Sequence, residues 1–205
     1  MASNKPKILL GLPTMSSIHT WLMVDIASWM SDAFNKGKYN LSMYPTMSVQ
    51  PVDNARNEIV TEFLKSDCTH LLFIDADTIP PQNVIDKMLE HDVPIITAIT
   101  PIVEYDEKSQ MFYKKWNCVD LNDKHVKPNT GVVEVKGAGA SCIMIKREVF
   151  EKIERPYYRF LYQDDSGKDV CVSEDIYFIA KAVGAGYKCL ADTSLICKHY
   201  KSTIW

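Results

Sequence analysis

The sequence predicts an α/β fold: a mainly parallel central sheet flanked by helices. Three observations carry this. Short apolar runs alternate with segments of helical periodicity through the first hundred residues, the pattern of a parallel sheet covered by helices. The strongest run, HLLFIDADTIPP from His70 to Pro81, is apolar from Leu71 to Ile74 and then meets two acids. Finally, 205 residues, 46% of them apolar, suffice to bury one sizeable core.

The elements are expected in this order. Lys7 to Leu12 is a first strand, ended by Pro13. Ile18, Leu22, Ile26, Trp29 and Met30 recur at helical spacing. Leu41 to Tyr44 is a second strand. Asp53 caps a helix whose apolar face includes Ile59, Val60, Phe63 and Leu64. Leu71 to Ile74 is the strand of the central motif. Pro80-Pro81 opens a helix with Val84, Ile85, Met88 and Leu89. Pro94 to Ile99 is a further strand. From Val103 to Thr130 the chain is polar, spotted with aromatics and poorly periodic, as in a long loop that is functional or mobile. Gly131 to Ile145 reads as two short strands around Gly137-Ala138-Gly139, and Arg147 to Ile153 as a short helix. Tyr157 to Val172 is irregular. Ser173 caps a last helix bearing Ile176, Ile179, Ala180 and Val183, which Gly184 and Gly186 end. Lys188 to Asp192 and Leu195 to His199 are strands.

Composition narrows the classes. A net charge of −3 and a pI near 6.0 point to neither a nucleic-acid nor a membrane partner. No apolar stretch is long enough to span a bilayer, and the N-terminus does not read as a signal peptide. Six cysteines without a CxxC pair read as free thiols of a reducing cytoplasm, not as a zinc site or a disulfide framework.

Three clusters can carry chemistry. Asp75 and Asp77 leave a buried strand together; alternation on a strand aims both at one point, where a divalent cation would relieve their repulsion. Helix capping is the simpler role, but one Asp would serve for that. Ser173-Glu174-Asp175 opens a helix, where acids suit the dipole whatever else they do. His199 ends the last strand, and an ion held by two carboxylates can accept an imidazole as well.

Taken in order, GLPT (11 to 14), NARNEIV (54 to 60), LLFIDADTIPP (71 to 81), VKGAGASCIMIKREVFEKI (135 to 153) and VSEDIYFIAKAVGAGYKCLADTSLICKHY (172 to 200) resemble GT-A-fold glycosyltransferases of the family-2 type. The compact soluble enzymes of bacteria and phages are the nearest in kind. The resemblance covers nearly the whole chain. It implies one Rossmann-like GT-A domain over residues 1–205, with a nucleotide-binding half to about residue 100 and an acceptor and catalytic half beyond. It implies transfer of a sugar from a nucleoside-diphosphate donor, UDP-sugar favoured, to a hydroxyl acceptor (a glycan, a lipid-linked intermediate, a protein or a modified nucleobase), with inversion.

The roles follow residue by residue. Asp75, Ala76 and Asp77 form the DxD motif, holding Mn2+ or Mg2+ on the donor diphosphate, and His199 completes the metal site. Pro13 and Thr14 lie where the nucleotide docks, and Arg56 matches a residue that contacts the nucleotide or its phosphates. Gly137, Ala138 and Gly139 precede a strand lining the donor-sugar and acceptor pocket. Asp175 matches the catalytic carboxylate, with Glu174 beside it. One departure stands out: LSMYPTMS (41 to 48) has no acid where many relatives read the nucleobase. The chain also ends six residues after His199, so any separate acceptor-binding domain is expected to be missing or to belong to another chain.

Other classes compete. FIDADTI fits the apolar-DxDxT signature of haloacid dehalogenase-type phosphatases, in which Asp75 would be the nucleophile. About a third of the chain precedes the motif, however, and Phe178 and Ile179 stand where a second acid should follow Asp175. A nucleotidyltransferase would need a Gly-rich basic loop where GLPTMSSIHT has no Lys or Arg. A non-catalytic sugar-nucleotide binder would share the fold. In the long middle segment, Tyr105, Phe112, Tyr113 and Trp116 can stack on a ligand or simply pack the loop down.

Overall fold

The computed structural model describes residues 5–107, 109–163 and 166–200. In chain order the elements begin with β1 (Lys7–Thr14), α1 (Thr20–Lys36), β2 (Asn40–Met47), α2 (Val52–Lys65) and β3 (His70–Ile74). They continue with β4 (Thr78–Ile79), α3 (Val84–His91), β5 (Ile95–Ile99), β6 (Pro101–Asp106), β7 (Met111–Trp116) and β8 (Cys118–Asp120). The last are β9 (Val132–Ala138), β10 (Cys142–Lys146), α4 (Arg147–Lys152), β11 (Leu161–Gln163), β12 (Asp169–Val172), α5 (Glu174–Gly184), β13 (Cys189–Ile196) and β14 (Lys198–His199).

Eight strands form one sheet in the order β2-β1-β3-β10-β5-β13-β9-β8. Only β10 and β9 run against the others. Successive strand residues serve opposite faces, as the pleat requires. Leu9, Leu71, Phe73, Ile143 and Ile145 join one core cluster with α2, α4 and α5. Ile8, Leu10, Leu72, Ile74 and Met144 join a second with α1 and α3. Burying each large apolar side chain contributes roughly 1.5–3 kcal/mol. Gly11 marks the closest helix approach: a Cβ there would lie 2.6 Å from Ile59 Cγ2, so α2 can seat on β1 only over a glycine.

Several local expectations change. Asp53 is not the cap of α2: Pro51 holds that position, and Asp53 lies in the first turn, its Oδ1 accepting from the Asn54 N–H at 3.0 Å. Pro80-Pro81 precedes α3 rather than opening it, because β4 uses Thr78–Ile79 to pair with β14. Residues 103–130 are no structureless loop. β6 and β7 form a six-pair antiparallel hairpin from Pro101↔Trp116 to Asp106↔Met111, and β8 joins the sheet edge beside β9. The alternation that makes this hairpin was hidden because it is exposed on both faces; Tyr105, Met111, Phe112 and Tyr113 all remain accessible. The irregular stretch from Tyr157 contains the small β11–β12 hairpin. Five of the six cysteines are buried and Cys171 is exposed. No helix among the described residues is long and apolar enough to cross a membrane.

Candidate active site

The site forms where β3 ends. The strand stops at Ile74, so Asp75-Ala76-Asp77 is a turn, and the alternation argument for its two carboxylates does not apply. The turn is held from several sides by backbone bonds. Asp75 N–H donates to Ser141 O at 3.0 Å, and Thr78 N–H to Asp75 O at 3.0 Å. His19 N–H donates to Ala76 O, and Tyr200 N–H to Asp77 O, each at 2.9 Å. These bonds bring the loop after β1 and the segment after β14 onto one turn.

The two carboxylates then part. Asp75 Oδ1 accepts from Arg56 Nη2 at 2.9 Å. Arg56 also donates through Nε to Glu174 Oε1 at 3.1 Å, and its side chain is only 3% exposed. Its guanidinium lies over the Phe73 ring at 5.3 Å and the Tyr158 ring at 5.9 Å. Burial opposes its charge, but Asp75 and Glu174 together hold it protonated well above the ordinary arginine range. Burial raises the Asp75 carboxyl; Arg56 pulls it back, and the nearby Asp77 and Asp175 carboxylates push it up again. Burial likewise raises Glu174 against the pull of Arg56. Arg56 is therefore an internal clamp between the Asp75 turn and the start of α5.

Asp77 faces the other way. Its Oδ2 lies 3.2 Å from His199 Nε2. His199 Nδ1 lies 3.0 Å from the Pro101 carbonyl, which can only accept, so Nδ1 carries the proton. In the neutral ring Nε2 then presents a lone pair toward a carboxylate oxygen. Two acceptors at that separation call for a proton or a cation between them. A carboxylate and an imidazole with its tautomer set by a carbonyl suit a divalent ion that takes its other ligands from a substrate and water. Among the described residues no group of three or more His, Cys, Asp or Glu side chains gathers to hold a metal. Asp75 is turned to Arg56 instead.

Asp175 and Glu174 start α5. Ser173 stands at the N-cap position, but its hydroxyl donates to Asp175 Oδ1 instead of capping the backbone. The same Oδ1 accepts from Ile176 N–H at 2.7 Å. Both bonds fall on one oxygen, leaving Oδ2 as the oxygen able to take a proton.

A cavity of about 660 Å³ opens beside the turn. Pro13, Ser16, His19, Asp75, Ala76, Asp77 and Tyr200 are among its walls. A narrower apolar slot of about 250 Å³, with Thr14 and Gln50, shares Pro13, Met15 and Val52 with it. Thr14 is itself buried and donates through Oγ1 to Thr46 O at 2.7 Å. Gly137 and Ala138 are the last residues of β9 and lie away from this cavity. Gly139 packs so closely that a Cβ would meet Asn117 Nδ2 at 2.8 Å.

Three supporting residues escaped the sequence reading. Asn57, next to Arg56, donates to Tyr158 O at 2.7 Å and accepts from the N–H groups of Tyr157 and Tyr158. Tyr158 is fully buried, stacked on Phe178 at 4.8 Å, and its hydroxyl has no hydrogen-bond partner among the described residues. Asn117 Oδ1 accepts from Thr100 N–H at 2.8 Å and ties the hairpin base to Gly139. Asn57 stood within NARNEIV, but nothing local to that segment tells which distant stretch of backbone its amide will hold.

No family model and no curated protein matches the chain. Solved structures do. "Crystal Structure of A197 from STIV" is similar with a TM-score of 0.59 and 19% identity, covering 96% of this chain and 86% of that one. "Crystal structure of GalNAc-T7 with UDP, GalNAc and Mn2+" is similar with a TM-score of 0.56 and 12% identity, covering 96% of this chain. This chain spans 43% of that longer protein. At these identities the likeness concerns the fold alone, and the fold is of the GT-A type.

Proposed function

We propose that the protein is a glycosyltransferase that moves a sugar from a nucleoside-diphosphate donor, UDP-sugar favoured, to a hydroxyl acceptor. The observation that carries this is the facing pair of Asp77 Oδ2 and His199 Nε2 at 3.2 Å, beside the 660 Å³ cleft in which Pro13 and Ala76 also lie. The GalNAc-T7 structure of similar fold holds UDP, GalNAc and Mn2+, which supports the choice of donor and ion.

On this reading Asp77 and His199 would hold Mn2+ or Mg2+, with Asp75 beside them. When bound, the ion supplies positive charge against the departing diphosphate. Arg56 keeps Asp75 in place from within. Glu174 serves as the buried counter-ion of Arg56 and not as a base. Asp175 Oδ2 accepts the acceptor hydroxyl proton as the acceptor oxygen bonds to the anomeric carbon and the bond to the diphosphate breaks. A single displacement of this kind inverts the anomeric configuration. Residues to about 100 would hold the nucleotide, and those beyond would supply Asp175 and the acceptor side.

The phosphatase reading would require Asp75 to attack phosphorus. Its Oδ1 instead faces a buried guanidinium, which counts against that role.

The test is a thermal-shift screen of UDP-, GDP-, CMP- and dTDP-sugars with and without Mn2+. A Mn2+-dependent rise with one nucleotide class is the expected outcome; no rise with any of them would overturn the reading. Asp175→Asn should keep the donor-dependent rise and lose transfer.

A further inference from the structure

A second cavity, of about 440 Å³, lies beyond the first, and Tyr200 borders both. Its size falls within the range of small-ligand sites. Trp21 of α1 stands on its rim, 62% exposed, with Pro80, Pro81 and Ile196 forming further apolar wall. Asp25, Gln82 and Lys198 supply polar groups among these faces.

None of these groups belongs to the clamp or to the Asp77–His199 pair. The wall is built on rigid parts. Trp21 and Asp25 are one turn apart on α1, whose Leu22, Ile26 and Trp29 are buried. Trp29 Nε1 donates to Gln82 O at 2.8 Å, anchoring the segment after Pro80-Pro81 to the same helix. Tyr200 is fixed by its N–H bond to Asp77 O and by stacking on His19 at 4.2 Å.

A flat indole and a phenol ring, set among a carboxylate, an amide and an ammonium, match a pyranose ring. Such a ring has one face of C–H groups and a rim of hydroxyls that both donate and accept. The two charged groups are of opposite sign, so the site favours a neutral ligand over a phosphorylated or acidic one. Tyr200 borders both cavities, so this one adjoins the candidate donor cleft. We infer that this second cavity binds a neutral saccharide, the non-reacting part of the acceptor chain. This rests on the glycosyltransferase reading for its purpose, though not for its chemistry.

The test uses saturation-transfer NMR on the whole protein with neutral di- and trisaccharides of glucose, galactose, mannose and N-acetylglucosamine. UDP with Mn2+ is measured in parallel. At least one saccharide is expected to receive transfer, strongest at its C–H face. Trp21→Ala is expected to weaken that binding about tenfold or more. Because Trp21 is exposed, the variant should fold normally and still bind UDP with Mn2+. Asp25→Asn should also weaken the saccharide, and Asp77→Ala should spare it. No transfer to any saccharide, or transfer that survives Trp21→Ala, overturns the inference. Saccharide binding at Trp21 without UDP binding would leave this site standing and bring down the donor reading. The reverse result would do the opposite.

Discussion

Asp75 and Asp77 sit two residues apart on one turn, yet they belong to different regions of the molecule. Asp75 looks inward to Arg56, which is 3% exposed and also bound to Glu174. Asp77 looks outward to His199, and its own side chain is 47% exposed. The inner region is a charge cluster bound up with the core; the outer one is an acid that borders a cleft and the imidazole it faces. One motif has thus been divided into an inward anchor and a half-exposed carboxylate. The difference teaches that a carboxylate's role is set by what lies across from it. Its spacing from another carboxylate does not set that role.

The comparison breaks most visibly at the anchor. Arg56→Met would leave Asp75 and Glu174 without the cation that both of them bind. Removing one partner of a buried pair costs about 3–5 kcal/mol, and urea denaturation near neutral pH should read that loss. The loss should shrink at lower pH, where both acids can be neutralised. A stability change under about 1 kcal/mol would mean that the clamp is not structural.

At the outer group the effect should fall on binding instead. Asp77→Ala removes a half-exposed pair, so stability should change by no more than about 1 kcal/mol. In the unaltered protein a ~100-fold excess of ligand over its dissociation constant should add roughly 2.7 kcal/mol of stability. In Asp77→Ala that Mn2+-dependent gain should vanish, as a thermal shift with UDP and Mn2+ would show.

A pH series sharpens the contrast. Both inner carboxyls sit above their ordinary values, 3.8 for Asp75 and 4.5 for Glu174, chiefly because burial penalises their charge. The folded state therefore holds these protons more tightly than the unfolded chain. Their contribution is full below the ordinary values and is lost as pH rises through the folded-state values. Glu174→Gln should remove its share of that fall, seen as a flatter dependence of the urea midpoint as pH rises above the ordinary glutamate value of 4.5. An unchanged slope would show that Glu174 is not held in this way.

The smallest effect is expected at Tyr158. Its buried hydroxyl has no partner among the described residues, and an unsatisfied buried group is unfavourable. Tyr158→Phe should be neutral or stabilising by up to about 1 kcal/mol in the same denaturation assay. A clear loss of stability would mean that the hydroxyl is engaged after all.

The sequence by itself determined most of the architecture. Apolar runs such as Leu71 to Ile74 and periodic faces such as Leu22, Ile26 and Trp29 are local patterns, because burial on a strand or helix repeats with the period of that element. The β6–β7 hairpin was missed for the same reason in reverse: exposed on both faces, it leaves no such record. The acids at 75, 77, 174 and 175 were legible as a set of candidates. Their division of labour was not, because each partner is distant in the chain. Arg56 meets Glu174 across 118 residues, and His199 meets Asp77 across 122. Only the tertiary structure, by docking α2 and α5 onto one face of the sheet and pairing β14 with β4, decided which acid meets a buried cation and which faces an imidazole at the surface.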